Sequence, residues 1–448
     1  MITRLETIRY RCFERLGIDL GAFQVIVGAN GSGKSTLLDV PDLLKDVLRS
    51  TDIALAFFQE REGALPRVGS AKELLFAGKG TDFSIAVEAR LPDDVASAIM
   101  NAAIARQKGD KARLAFRSDP SRWHSHLRYE IAFEVSTGGT IQVRNEYLFL
   151  FPNKHAPDRN EHGLHGPRAP ANKHWLSVLA RDSRSGATLV PEVPHRKPRP
   201  QEPVDMPGSV LALPRVLYES SQEFPAARWL FSLLTEGTVF LEPNWQEMRQ
   251  ASLPGQPSTV IRSGRNIPWL ALSLRNEGAP EGAPPDFRSE RYGDWIAHVR
   301  TALPQVVDID VRVREDDHYA YFRVVYRGGF SVPQSSLSDG TLRILALTLL
   351  PYLSKQPTVL VTEEPENGIH PQGIMAVMQS LSSMYETQVL VSSHSPLVLA
   401  NAKIEHLLCA VQTPDGAVNV ISGRDHPQLT TWRGEVSLGT LFAAGILG

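Results

Sequence analysis

Cysteine is almost missing from this chain: Cys12 and Cys409 are the two in 448 residues, and no paired spacing joins them. That excludes a disulfide framework and a cysteine zinc site, and it fits a reducing compartment such as the cytoplasm. Long apolar runs are also lacking. The longest mainly apolar stretch, Ile344 to Leu353, is too short to cross a bilayer. The N-terminal stretch holds no uninterrupted apolar segment of the kind that makes a signal peptide. What remains is the composition of a soluble globular protein, too long for one ordinary core, so two domains or one domain with a large insertion is expected.

Net charge is also small, at −2, but it hides an uneven distribution. Residues 101–200 carry 17 Lys plus Arg against 9 Asp plus Glu, and the rest of the chain carries −10. Such a block is a candidate surface for nucleic acid or another polyanion. A solvated loop explains it equally well. From Phe151 to about Pro207 prolines punctuate polar and basic residues, which predicts a long surface loop with one short helix over Trp175–Arg181. His155, His162, His165 and His174 match no metal-ligand spacing, so they are expected as loop histidines.

The most informative stretch is Gly28-Ala29-Asn30-Gly31-Ser32-Gly33-Lys34-Ser35-Thr36, which fits G-x-x-x-x-G-K-[ST]. The apolar run Phe23–Val27 before it reads as a buried strand, and the apolar residues after it recur at helical spacing. Strand, glycine loop and helix together predict a phosphate-binding loop. Its glycines admit backbone N–H groups to phosphate oxygens, and the helix start adds partial positive charge. Lys34 is placed for the β- and γ-phosphates and the Ser35 hydroxyl for Mg²⁺. The whole loop is the expected nucleotide-binding element.

Further strands are expected over residues 2–13, Phe83–Leu91, Val239–Leu241, Val306–Val313, Tyr319–Tyr326 and Phe330–Pro333, with a hairpin over Tyr129–Val135 and Ile141–Tyr147. Helices are expected near Ala226–Leu234, Ile267–Leu274 and Tyr292–Leu303. Pro357–Glu364 is a buried strand that ends in two carboxylates. Its first acid, Glu363, suits Mg²⁺, and its second, Glu364, suits a general base that polarises water. Ser335–Arg343 precedes a long apolar helix, Leu342–Leu353, with Ser338 as N-cap and Gly340 permitting close approach at the helix start. Residues 404–421 read as a closing hairpin and Glu435–Phe442 as a last short helix.

Leu337-Ser338-Asp339-Gly340-Thr341 resembles the ABC-type signature, and Glu364-Pro365-Glu366-Asn367-Gly368-Ile369-His370-Pro371 resembles the Walker B and D-loop region of prokaryotic ABC-like "AAA family" ATPases. Ser392-Ser393-His394-Ser395-Pro396 resembles their switch-histidine motif. Ile8–Phe13 is similar to the opening strand of SMC-type and RecF-type ATPase heads. The resemblance covers residues 1–100 and roughly 300–448. It implies an α/β P-loop NTPase of ABC/SMC-head type, two-lobed, with a large mixed α/β insertion. Residues 1–150 would form the N-terminal lobe, 151–299 the insertion and 300–448 the C-terminal lobe.

In this family two heads sandwich two ATP molecules, so the resemblance implies a homodimer with ATP and Mg²⁺ as ligands. Ser338 and Gly340 would contact the γ-phosphate held by the partner, His394 would sense the γ-phosphate, and Asn367 would lie in the D-loop across the dimer. Arg11 would approach the nucleotide phosphates. Glu363 stands where most ABC enzymes have aspartate, and Asp339 replaces a signature glycine; no glutamine is assigned to the Q-loop. OLD-type relatives carry a nuclease domain after the head, and nothing here is long or acidic enough to be one. The expected role is a bacterial anti-phage or DNA-maintenance ATPase that controls a separate effector such as a nuclease, with nucleic acid as a candidate partner. The alternative is a slow-hydrolysing, ATP-bound scaffold that docks a protein.

Overall fold

The computed structural model describes residues 1–61, 64–159, 164–165, 174–183, 186–194, 202–284, 286–430, 432, 434 and 436–447. The chain opens with an antiparallel pair, β1 (Ile2–Tyr10) and β2 (Phe13–Asp19). Residues 2–13, expected as one strand, divide here because Arg11 takes a left-handed φ of 53° that breaks the extended run. β3 (Phe23–Val27) leads into helix α1 (Lys34–Arg49). β4 (Asp82–Arg90) precedes the expected hairpin, β5 (His126–Val135) and β6 (Ile141–Phe151).

β7 (Leu176–Asp182) and β8 (Gly186–Leu189) then complete an antiparallel wing of seven strands in the order β2-β1-β4-β5-β6-β7-β8. The helix expected over Trp175–Arg181 is thus a strand. Leu176, Val178 and Leu179 satisfy helical spacing, but β-branched Val178 and the free edge of β6 favour pairing, with Leu150 opposite Leu176 and Tyr147 opposite Ala180.

β9 (Thr238–Leu241) follows, and β10 (Val306–Val313), β11 (Ala320–Tyr326) and β12 (Ser331–Pro333) form a small antiparallel sheet. β13 (Val359–Glu363), β14 (Gln388–Ser392), β15 (Leu407–Gln412) and β16 (Val418–Ser422) join β3 and β9 in a central sheet ordered β16-β15-β3-β14-β13-β9. Apart from the β15–β16 hairpin its pairings are parallel. Residues 151–299 therefore supply two strands to the wing and an edge strand to the central sheet.

Both faces of the central sheet are buried, which is why its strands are near-continuous Val, Ile and Leu. Side chains alternate between two cores. Ile26, Val359, Val361 and Leu390 face the wing and α1. Val25, Val27, Leu360, Val389 and Val391 face the second core, which holds helices Glu290–Ala302, Asp339–Leu349 and Pro371–Ser382. The helix expected over Leu342–Leu353 begins earlier, at Asp339, and passes at Leu350–Tyr352 into a tighter turn, where Pro351 cannot donate a helical hydrogen bond.

Candidate nucleotide-binding site

β3 delivers the chain to the loop at Gly28, and α1 starts at Lys34 with Gly33 as its left-handed cap. Gly33 has φ 81°, and a Cβ there would lie 2.7 Å from Cys12 Sγ, so conformation and space both require glycine. Lys34 Nζ donates to the carbonyl oxygens of Gly28 and Ala29 at 2.9 and 2.8 Å. Burial lowers the pKa of Lys34, while Glu364 and Glu363 pull it the other way. Ser32 Oγ is buried inside the loop with no hydrogen-bond partner among the described residues.

The motifs 328 positions apart meet directly: Ser35 Oγ donates to Glu363 Oε2 at 2.9 Å. Burial raises the pKa of Glu363 and the Ser35 hydrogen bond opposes it. A cation would complete such a carboxylate–hydroxyl pair, so the residues fit the hard, oxygen-liganded Mg²⁺ that accompanies triphosphates. Above the loop lies a cleft of about 380 Å³ lined by Asn30, Gly31, Gly33, Lys34, Ser35 and Thr36, and closed on the far side by Glu363, Glu364, Ser392 and His394.

β13 and β14 lie side by side and in parallel, with Glu363 opposite Ser392, so both deliver their C-terminal residues to this cleft. His394 Nε2 stands 3.5 Å from Glu364 Oε1. Glu364 itself has φ 42°, a left-handed conformation uncommon for a residue with a side chain. Glu366, to which no sequence motif assigns a role, is buried and accepts from Ser393 Oγ at 2.6 Å and His394 N at 3.2 Å. Burial raises its pKa. Its place two residues beyond Glu364 was the available signal.

The turn Leu337–Thr341 is built elsewhere. Ser338 caps its helix by accepting from Thr341 N at 3.2 Å, as expected. A Cβ on Gly340 would meet the Gly368 carbonyl oxygen at 2.6 Å, so this glycine lets the backbone at Gly368 pack onto the helix start. Asp339 is paired with Arg249 at 2.8 Å, and Arg249 also donates to the Leu337 carbonyl at 2.7 Å. Asn367 is exposed. Ser338, Gly340 and Asn367 do not line the cleft of Lys34 and Glu364. Arg11 lines an adjoining cleft of about 450 Å³ that shares Ser35, Thr36 and Glu363.

A buried ion network holds α1 in place, and no local motif announced it. Asp39, Asp42 and Asp46 recur along one face of α1 and receive Arg67 at 2.8, 3.0 and 2.7 Å. Arg61 joins Asp39 and Asp42, and Arg262 joins Asp42 at 2.6 Å. The basic block is partly internal too. Arg128 is fully buried among Glu6, Glu88 and Glu130. Arg181, expected on a polyanion surface, is 4% exposed and donates to the Pro207 carbonyl at 2.7 Å. Arg184, Arg196, Lys197 and His162 lie outside the described residues. His155 and His174 stack with ring centroids 3.9 Å apart, and His165 N donates to Glu130.

Residues 236–400 match a family model described as "AAA domain, putative AbiEii toxin, Type IV TA system". Three solved structures are similar at low identity. An SMC head bound to the C-terminal winged-helix domain of ScpA shares 13% identity, covering 94% of this chain and 96% of that one at a TM-score of 0.46. An SMC head with an extended coiled coil, bound to the C-terminal domain of ScpA from Pyrococcus furiosus, shares 12%, covering 99% and 98% at 0.47. The SMC head domain from Thermotoga maritima shares 12%, covering 94% and 98% at 0.37. No curated protein matches. By its loop, sheet order and the meeting of Ser35 with Glu363 the chain has a P-loop NTPase fold, and residues 236–400 are similar to an AAA domain.

Proposed function

We propose that this protein hydrolyses ATP to ADP and phosphate in a nucleotide-sandwich homodimer. The observation that carries the reading is the Ser35–Glu363 contact of 2.9 Å beside Lys34, with Glu364 and His394 facing the same cleft. The loop from Gly28 to Thr36 holds the phosphates, and Ser35 and Glu363 hold Mg²⁺. When bound, that ion neutralises charge on the β- and γ-phosphates. Glu364 accepts a proton from water as the water oxygen attacks phosphorus in line and the bond to the bridging β–γ oxygen breaks. His394, oriented by Glu366 through its N–H, lies beside that carboxylate. Ser338 and Gly340 of one protomer close over the nucleotide of the other, Asn367 lies in the D-loop across the dimer, and Arg11 approaches the phosphates.

The biological role that suits this machinery is a cytoplasmic sensor in anti-phage defence or DNA maintenance that controls a separate effector. Support comes from the family description, which names a type IV toxin–antitoxin system. No described helix is long and apolar enough to cross a membrane. The alternative of an ATP-bound scaffold draws on Glu363 and Asp339. The reach of Glu363 to Ser35 and the pairing of Asp339 with Arg249 both favour turnover instead.

Steady-state ATP hydrolysis, with and without linear duplex DNA at two salt concentrations, tests the proposal. Glu364→Gln is expected to lower turnover by at least about a hundredfold while ATP still binds. Equal rates in both proteins would refute hydrolysis at this site. Salt-sensitive stimulation by DNA would favour nucleic-acid sensing.

A further inference from the structure

The carboxylate proposed as base sits on an unfavourable piece of backbone. Glu364 has φ 42°, and the next residue is Pro365, which pushes its neighbour toward extended conformations. Three hydrogen bonds hold it there. Glu364 N donates to the Ser392 carbonyl at 3.1 Å, and the Glu364 carbonyl accepts from Asn367 N at 2.9 Å. The third donor comes from the signature helix: Arg343 Nη1 donates to the same carbonyl at 3.2 Å.

Arg343 is itself held by a separate element. Its guanidinium lies 4.2 Å from the ring centroid of Trp245, at the start of the short helix Trp245–Met248. Its Nε is buried with no hydrogen-bond partner among the described residues, and burial lowers its pKa. A charged group placed at that cost with one donor aimed at a strained peptide is poorly explained as surface solvation. The same short helix ends at Arg249, which grips Asp339 and the Leu337 carbonyl at the signature turn. The same short helix therefore touches both the turn that would meet the partner's nucleotide and the arginine that holds the Glu364 peptide.

We propose that Arg343, seated on Trp245, is a positioning residue: it fixes the left-handed peptide of Glu364 and links the signature turn to the carboxylate. This rests on the hydrolytic reading above. Movement of the signature turn when it engages nucleotide reaches Glu364 through Arg343 without passing through the nucleotide held by the same protomer.

The test measures kcat, KM and ATP affinity for the full chain carrying Arg343→Met, Arg343→Lys, Arg343→Ala or Trp245→Leu. Arg343→Met is expected to lower kcat about tenfold to a hundredfold with KM within about twofold. Arg343→Lys keeps charge without the planar fork and should recover part of the loss. Millimolar guanidinium, but not sodium at equal ionic strength, should restore turnover to Arg343→Ala, and less so when Trp245→Leu is added. An unchanged kcat, a change confined to KM, or loss of ATP binding in both Arg343→Met and Arg343→Lys would overturn the inference. Absence of turnover in the unmodified protein, relative to Glu364→Gln, would instead remove the hydrolytic reading on which it rests.

Discussion

Replacing Arg67 by Met is the sharpest perturbation of the ion network on α1. The Arg67 side chain is 1% exposed and meets Asp39, Asp42 and Asp46 at 2.8, 3.0 and 2.7 Å, with a further bond to the Ala56 carbonyl at 2.6 Å. Removing one partner of a buried ion pair strands the others, which costs about 3–5 kcal/mol. Arg61 still reaches Asp39 and Asp42, Arg262 still reaches Asp42, and Asp46 is 29% exposed and can turn to water. Those remaining contacts place the loss at the lower end, about 3 kcal/mol. Burial already raises the carboxyl of Asp46 and Arg67 pulls it back down, so losing Arg67 raises it further. Groups with raised folded pKa values stabilise at low pH and lose that contribution as pH rises, so the deficit should shrink on going from about pH 7.5 to pH 5.5. Urea titrations of both proteins at the two pH values measure this, with Arg67→Lys expected in between. A deficit under about 1 kcal/mol would show that Arg67 does not anchor α1. A deficit independent of pH would assign the loss to packing rather than charge.

Gly340→Ala adds a Cβ 2.6 Å from the Gly368 carbonyl, while alanine favours the helix by about 1 kcal/mol. The urea midpoint should therefore move little and ATP turnover should fall about tenfold as the backbone at Gly368 shifts; unchanged turnover would contradict the packing role. Glu192 is buried and accepts from Ala226 N and Ala227 N, yet burial pushes its carboxyl up to about 7. Its folded pKa lies above the unfolded one, so its contribution is full below about pH 4.5 and is lost as pH rises through about 7. Glu192→Gln should flatten the fall in stability between those values, and an unaltered slope would exclude Glu192 as its source.

What could be read before the structure was what lies in consecutive residues. The phosphate loop, the strand ending in Glu363 and Glu364, and Ser338 as a helix cap each declare themselves within a few positions. Leu176–Asp182 did not, because its apolar spacing suits helix and strand alike and the edge of β6 decided between them. Arg67 and Arg181 carry no such local signal, because the carboxylates and carbonyls that receive them are set by tertiary contacts, not by neighbouring sequence. The same holds for Arg343, which one helical pattern places on the signature helix and only the fold places on the Glu364 carbonyl.

The central sheet has a consequence for how the protein is made. β3, which carries the phosphate loop, is flanked by β14 and β15, with Phe23 opposite Val389 and Val25 opposite Leu407. Its neighbours therefore leave the ribosome only after more than three hundred further residues. Until then the edges of β3 and the apolar face of α1 have no native cover from that sheet. Closure over so long a loop is slow, and exposed strand edges invite wrong pairing. A nascent chain halted before β14 lacks the inserted strand that joins β3 to β13, so capacity to bind nucleotide should arise late and abruptly during synthesis, not in proportion to length.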